Sequence, residues 1–140
     1  MKKVAIIDPL GAHGSSHHLY LFGQSIGLIN AGVDVSLYTN IKTDDPKIAG
    51  LNFFSFYKDI FKSRFHIING LRWIIGSVHS IFHAKSSHIS FFHFHIFHAN
   101  ILVLFNLILV KLLFGRVILT IHDVDSLSNK KNSVLISNFI

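Results

Sequence analysis

The run Arg116-Val-Ile-Leu-Thr-Ile-His-Asp-Val-Asp-Ser126 constrains this chain more than any other: an uninterrupted apolar, β-branched segment ends abruptly in an adjacent His and Asp. Such a segment suits a strand buried on both faces, and strands of that kind belong to parallel sheets covered by helices. Open sheets of this type place their ligands outside the carboxyl ends of the strands, so His122 and Asp123 stand where a site is expected.

The rest of the chain supplies companions for that strand. Lys3 to Asp8 is a short apolar run bounded by Pro9, Gly11 and Gly14, the pattern of a first buried strand followed by a tight turn. A helix should follow, with Ser15 or Ser16 as its N-cap, Leu19, Phe22, Ile26 and Ile29 on one face, and Gly32 as its stop. Val33 to Thr39 reads as the second strand, 40–50 as a polar loop, and Leu51 to Tyr57 as the third strand. From Asp59 to about Ala84 the positions Phe61, Phe65, Ile68, Leu71, Ile75, Val78 and Phe82 advance by three or four, which predicts a long amphipathic helix. Lys62, His66, Asn69, Trp73 and Ser80 then share its outer face, with Lys58 and Arg72 alongside. A fourth strand at Ile89 to His95, a helix from about His98 to Phe114 stopped by Gly115, and the Arg116 to His122 strand complete the order β-α-β-β-α-β-α-β. Strands alternating with helices imply an α/β fold with a mostly parallel sheet and helices on both faces.

At 140 residues the chain suits one α/β domain, residues 1–140, and is short for the two-domain layout of many nucleotide-using enzymes. The tail after Asp125 turns polar, and Val134 to Ile140 begins what reads as another helix, so the domain is expected to be cut off rather than finished. Thirteen Lys and Arg against seven acidic residues, all Asp, give a net charge of +6, which favours anionic partners. There is no Lys/Arg run with interleaved aromatics, which speaks against nucleic acid. The lack of Cys removes disulfides, thiolate metal sites and Cys nucleophiles together, and leaves the cytoplasm as the default compartment. The apolar run after Met-Lys-Lys is too short for a signal peptide. Between Lys85 and Lys111 there is no formal charge, but the aromatic-rich 91–97 segment divides that span into a strand-like and a helix-like piece. Each piece is shorter than the roughly 20 residues needed to cross a bilayer. The basic and aromatic outer face of the 58–85 helix suits an anionic membrane surface with Trp73 at head-group depth; the competing reading is a solvated helix face.

Three groups of residues carry candidate chemistry. Gly11-Ala-His-Gly14-Ser-Ser lies between the first strand and the first helix, where backbone amides and the helix dipole receive an anion such as phosphate. It is neither a P-loop nor the dinucleotide fingerprint, the second strand ends in Thr39-Asn40 instead of a ribose-binding acid, and a plain chain-reversing turn accounts for it equally well. His93 and His95 lie on one face of the fourth strand and form a candidate metal pair with His98 or His122 as third ligand. With no Cys or Glu to assist, the stronger expectation is that they line the ligand edge of the sheet and hold no metal. His122 is suited to hydrogen bonding or general base work, with Asp123 or Asp125 to orient it or meet a sugar hydroxyl; as a purely structural element it caps its strand. Gly-x-Ser-x-Gly does not occur, so no nucleophile elbow is available.

Taken in order, Lys3-Val-Ala-Ile-Ile-Asp8, Gly14-Ser-Ser-His-His18, Ala31-Gly-Val-Asp-Val-Ser-Leu-Tyr-Thr39, Phe92-His-Phe-His95 and Leu119-Thr-Ile-His-Asp123 resemble the amino-terminal domain of bacterial GT-B-fold glycosyltransferases of the retaining, family-4-like branch. The resemblance implies a Rossmann-like domain that holds the acceptor, with a nucleotide sugar gripped by a second domain that is absent here. It places Gly14 and Ser15 near the donor, His122 beside the reacting sugar as the catalytic residue, and His95 and Asp123 against the acceptor. The family often has two adjacent Gly where this chain has Gly14-Ser15, and an acid where Ser90 stands. A lone acceptor half cannot hold donor and acceptor at near-attack distance, so the chain by itself is expected to be inactive. The implied partners are a nucleotide-sugar donor, a lipid-linked or saccharide acceptor, a donor-binding partner subunit and the inner face of the cell membrane, with no cofactor. The rival reading, from a different class, is a non-catalytic membrane-associated binding or scaffold protein with the same fold.

Overall fold

The computed structural model describes residues 1–13, 17–97 and 100–122. Five strands form one sheet, β1 (Lys3–Ile7), β2 (Asp34–Asn40), β3 (Leu51–Tyr57), β4 (Phe91–Ile96) and β5 (Arg116–Ile121), and every neighbouring pair runs parallel. Three helices connect or flank them: α1 (His17–Asn30), α2 (His66–Ser86) and α3 (Ile101–Leu112), with a short 3-10 turn at Gly11–His13. The spatial order β3-β2-β1-β4-β5 is that of a Rossmann-like sheet. The chain winds outward from β1 to β2 and β3, then crosses back through α2 to the other side of β1. The strand order therefore reverses between β1 and β4.

The alternation of side chains along each strand divides the core into two layers. Val4, Ile6, Val35 and Leu37 face one way and pack with Leu21 of α1. Ala5, Ile7, Tyr38, Tyr57, Phe92, Phe94 and Ile96 face the other way, with Ile81 and Ala84 of α2 and Val110 of α3. Helices thus cover both faces, as expected. α3 starts at Asn100, whose side-chain oxygen accepts hydrogen bonds from the amides of Leu102 and Val103 at 3.0 Å.

The helix faces differ from those the apolar spacing predicts. In α1 half of the predicted face is kept, since Phe22 and Ile29 pack against the core, but Leu19 and Ile26 are exposed and the fully buried positions are Leu21 and Ser25, with Ser25 Oγ donating to the Leu21 carbonyl at 2.8 Å. In α2 the inversion is larger: Ile68, Leu71, Ile75 and Phe82 point outward, and Gly76, Ser77, Ser80, Ile81 and Ala84 are buried. The reason is close packing. A Cβ on Gly76 would stand 2.5 Å from Tyr57 Cδ1 and 2.9 Å from its Cγ, so the helix can lie on the fully buried Tyr57 ring only through small residues. Tyr57 Oη and Ser77 Oγ then share a hydrogen bond at 3.2 Å. Gly76→Ala should consequently destabilise the fold by about 1–2 kcal/mol, because overpacking outweighs the roughly 1 kcal/mol that Ala gains over Gly in a helix. A lowered urea midpoint at unchanged m-value is the expected signature.

Residues 86–111 do not form one continuous rod, since β4 and α3 divide them. Among the described residues no helix is long and apolar enough to cross a membrane.

Candidate functional site

The reversal of strand order opens a cleft of about 430 Å³ at the carboxyl ends of β1 and β4. This is the crevice where open α/β sheets bind ligands, and its volume lies within the range of small-molecule sites. Asp8, Pro9 and Leu10 form one wall and Phe94 to Phe97 the other, with Trp73 of α2 and Asn106 of α3 behind them.

The turn after β1 is fixed from below by a buried polar cluster. Asn40 Nδ2 donates to the carbonyl of Pro9 at 2.9 Å, Asn40 Oδ1 accepts from the amide of Lys42 at 3.0 Å, and the Ala12 amide donates to Thr43 Oγ1 at 3.0 Å. The residue that stands in place of a ribose-binding acid, Asn40, is therefore wholly engaged in holding this loop. Gly11 sits at φ 46, and a Cβ there would overlap Thr43 Oγ1. Only glycine combines that backbone with that proximity.

Asp8 follows the last residue of β1 and is only 4% exposed. Its Oδ1 accepts a hydrogen bond from the Gly11 amide at 3.1 Å. Burial nevertheless dominates and pushes its carboxyl up to about 6, against the opposing pull of that amide and of His18. Two further buried polar atoms of the cleft, Trp73 Nε1 and Asn106 Oδ1, have no hydrogen-bond partner among the described residues. One is a donor and the other an acceptor, so the cleft offers a ligand both senses of hydrogen bond beside an ionisable carboxyl.

On the α1 side of the same rim stands a group of imidazoles. His95 near the end of β4 and His122 just past β5 meet with Nδ1 and Nε2 2.8 Å apart, and the Nε2 of His95 lies 3.0 Å from Gln24 Oε1. His17 at the start of α1 packs its ring 5.2 Å from that of His95 and 4.7 Å from that of His122. Burial first, and the neighbouring His93, His17 and His122 second, pull His95 down to about 3. His17 and His93 are also lowered, again chiefly by burial. Burial thus disfavours the charged form of His17, His93 and His95.

Of the residues expected from sequence, His95 and His122 come together as direct neighbours. Gly14, Ser15 and Asp123 lie outside the described residues, as does His98. His93 shares a face with His95, as its spacing predicts, but its Nε2 bonds Thr120 Oγ1 at 2.8 Å. Trp73 and Asn69, expected on the outer face of α2, instead line the cleft, and Ser80 of that same set is fully buried. The site residues that the sequence reading missed are Asp8, His17, Gln24, Trp73 and Asn106. Asp8 had a signal, since it ends an apolar run just as His122 does, and His17 and Gln24 are seven apart on a helix that follows the first strand.

No protein-family model matches the chain, and no curated protein matches it.

Proposed function

We propose that this chain is the acceptor-side Rossmann-like domain of a GT-B-type glycosyltransferase, acting with a nucleotide-sugar donor held by a partner domain. The observation that carries the reading is the cleft at the β1/β4 reversal, with the unpartnered Trp73 Nε1 and Asn106 Oδ1 beside Asp8. A saccharide acceptor is rich in hydroxyls, each both donor and acceptor, and so pairs with both orphaned atoms at once. Asp8, with its carboxyl raised to about 6, is mostly ionised at neutral pH yet binds a proton avidly, the property a base for an acceptor hydroxyl needs. His95 closes the cleft on the acceptor side, and His122 next to it faces the half of the site that the donor would fill.

Trp73 is the only Trp in the chain, so its fluorescence reports on the cleft directly. Titration with free and lipid-linked saccharides should shift or quench that emission saturably, and Asn106→Leu should remove the response. An emission unchanged across such a panel overturns the acceptor assignment. With a donor-binding partner present, His122→Ala should lower sugar transfer on the order of 100-fold while leaving the melting temperature unchanged, because His122 is exposed. Equal loss of activity and stability would reduce His122 to a strand cap.

Peripheral attachment to the cell membrane is supported by a second feature, the outward apolar stripe of α2. It accommodates the rival reading too: a membrane-associated scaffold with no transfer chemistry would keep that stripe and leave the cleft empty in the fluorescence titration.

A further inference from the structure

The imidazole cluster goes beyond sugar transfer: that reading uses His95 and His122 singly and has no part for His17 or for the convergence of all three. His17, His95 and His122 come from three separate elements, the start of α1, the end of β4 and the residue after β5. Each offers one ring nitrogen, and these nitrogens all lie within 4.8 Å of one another. From this convergence we infer that the three side chains form a binding site for a divalent transition-metal ion of the Zn2+ type.

Three features of the geometry support it. Around a tetrahedral zinc with bonds of about 2.0–2.1 Å the ligand nitrogens stand about 3.3 Å apart, so small rotations of these rings bring all three into place. His95 is already oriented as a ligand: Gln24 Oε1 accepts from its Nε2–H at 3.0 Å, which leaves the Nδ1 lone pair directed at His122. Metal-bound histidines almost always give their second ring N–H to a carbonyl or carboxylate in this way, which fixes tautomer and orientation. His17 supplies the third feature, because its Nε2 is buried and finds no hydrogen-bond partner among the described residues. Phe97 stacks on His122 and meets His17 edge-on, with ring centroids 4.6 and 4.5 Å away, and so walls one side of the cluster.

The donor set selects the ion. Three neutral imidazoles suit Zn2+, Co2+, Ni2+ or Cu2+, whereas Mg2+ and Ca2+ require oxygen ligands. Binding needs no covalent step: His122, which shares a proton with His95 in the metal-free cluster, carries that proton on Nδ1 instead and turns its Nε2 lone pair to the ion. Three protein ligands leave a fourth position open to water or to an oxygen of an anionic ligand arriving at the rim.

The test uses the full chain purified without a polyhistidine tag and stripped with a chelator. Zn2+ titrated against a chromophoric competitor should bind at one equivalent and raise the melting temperature, and Co2+ added to the stripped chain should give the visible spectrum of a tetrahedral site, which Zn2+ then bleaches by displacing it. His122→Ala, at an exposed position where folding is not at risk, should weaken binding on the order of 100-fold, and Gln24→Leu roughly tenfold through loss of ring orientation. His79→Gln, on the exposed side of α2, should leave affinity unchanged, and Mg2+ and Ca2+ should not compete. Absence of saturable Zn2+ binding, or equal affinity in the wild type, His122→Ala and His17→Ala, overturns the site. No sugar or transfer assay enters the measurement, so its failure is separable from failure of the glycosyltransferase reading.

Discussion

Asp8→Asn is expected to make the protein more stable at neutral pH by about 3 kcal/mol and, in a transfer-competent assembly, to slow the reaction by at least about 100-fold. The two effects share one cause. A carboxyl raised from its ordinary 3.8 to about 6 by burial is strained in its ionised form, and Asn removes that charge while its Oδ1 keeps the bond from the Gly11 amide. Asn cannot take a proton from an acceptor hydroxyl.

The pH dependence fixes the sign. Below about 3.8 Asp8 is protonated in both folded and unfolded chains and costs nothing. Between about 3.8 and about 6 the unfolded chain has released the proton that the folded chain still holds, so stability falls as pH rises. Above about 6 both forms are ionised and the full penalty remains. His17, His93 and His95 work in the opposite sense, since their lowered folded values cost stability as pH falls below the ordinary 6.5. The readout is therefore the difference in urea-unfolding free energy between Asp8→Asn and wild type. That difference should be near zero at pH 3.5 and reach its plateau by about pH 7. A variant no more stable than wild type at pH 7 would show that Asp8 is solvated rather than buried.

The succession of strands and helices along the chain and most element positions follow from runs that a sequence displays openly, whereas the spatial order of the strands does not. Leu51 to Tyr57 alternates and forms β3 over those residues, and Gly115 stops one helix before the β-branched β5 begins. Strand ends were legible too, which is why His95 and His122 could both be expected at the ligand edge of the sheet. The orientation of the helices was not. Apolar spacing finds a repeating stripe but does not say whether that stripe or its opposite reaches the sheet, and in α2 the opposite one does because Gly76, Ser77, Ser80 and Ala84 permit the closest approach. Everything that depends on helix orientation was lost with it: Trp73 and Asn106 in the cleft, and His17 and Gln24 beside His95. The burial of Asp8 was equally hidden, since it arises from a loop that Asn40 and Thr43 hold down from another strand.

That same inversion sets the size of the effect expected at a membrane. Leu71 and Ile75 stand 54% and 66% exposed on α2, in line with Ile67 and Phe82, and α3 on the same side of the sheet exposes Ile101, Ile108 and Leu112. From Ile60 to His122 the chain has no acidic residue, while Lys62, Arg64, Arg72, Lys85, Lys111 and Arg116 fall within it. An apolar surface embedded in purely cationic sequence complements an anionic bilayer, which gains from burial of the stripe and from the charge around it. Each apolar side chain moved out of water contributes about 1.5–3 kcal/mol, so Leu71→Asp with Ile75→Asp should weaken partitioning to phosphatidylglycerol vesicles by at least about 100-fold. Folding should not suffer, because both side chains point away from the core, and the melting temperature serves as the control. Added salt should weaken wild-type binding without abolishing it, since the apolar contribution is not screened. Vesicle sedimentation in which the double variant binds like wild type would remove this face of α2 from any membrane contact.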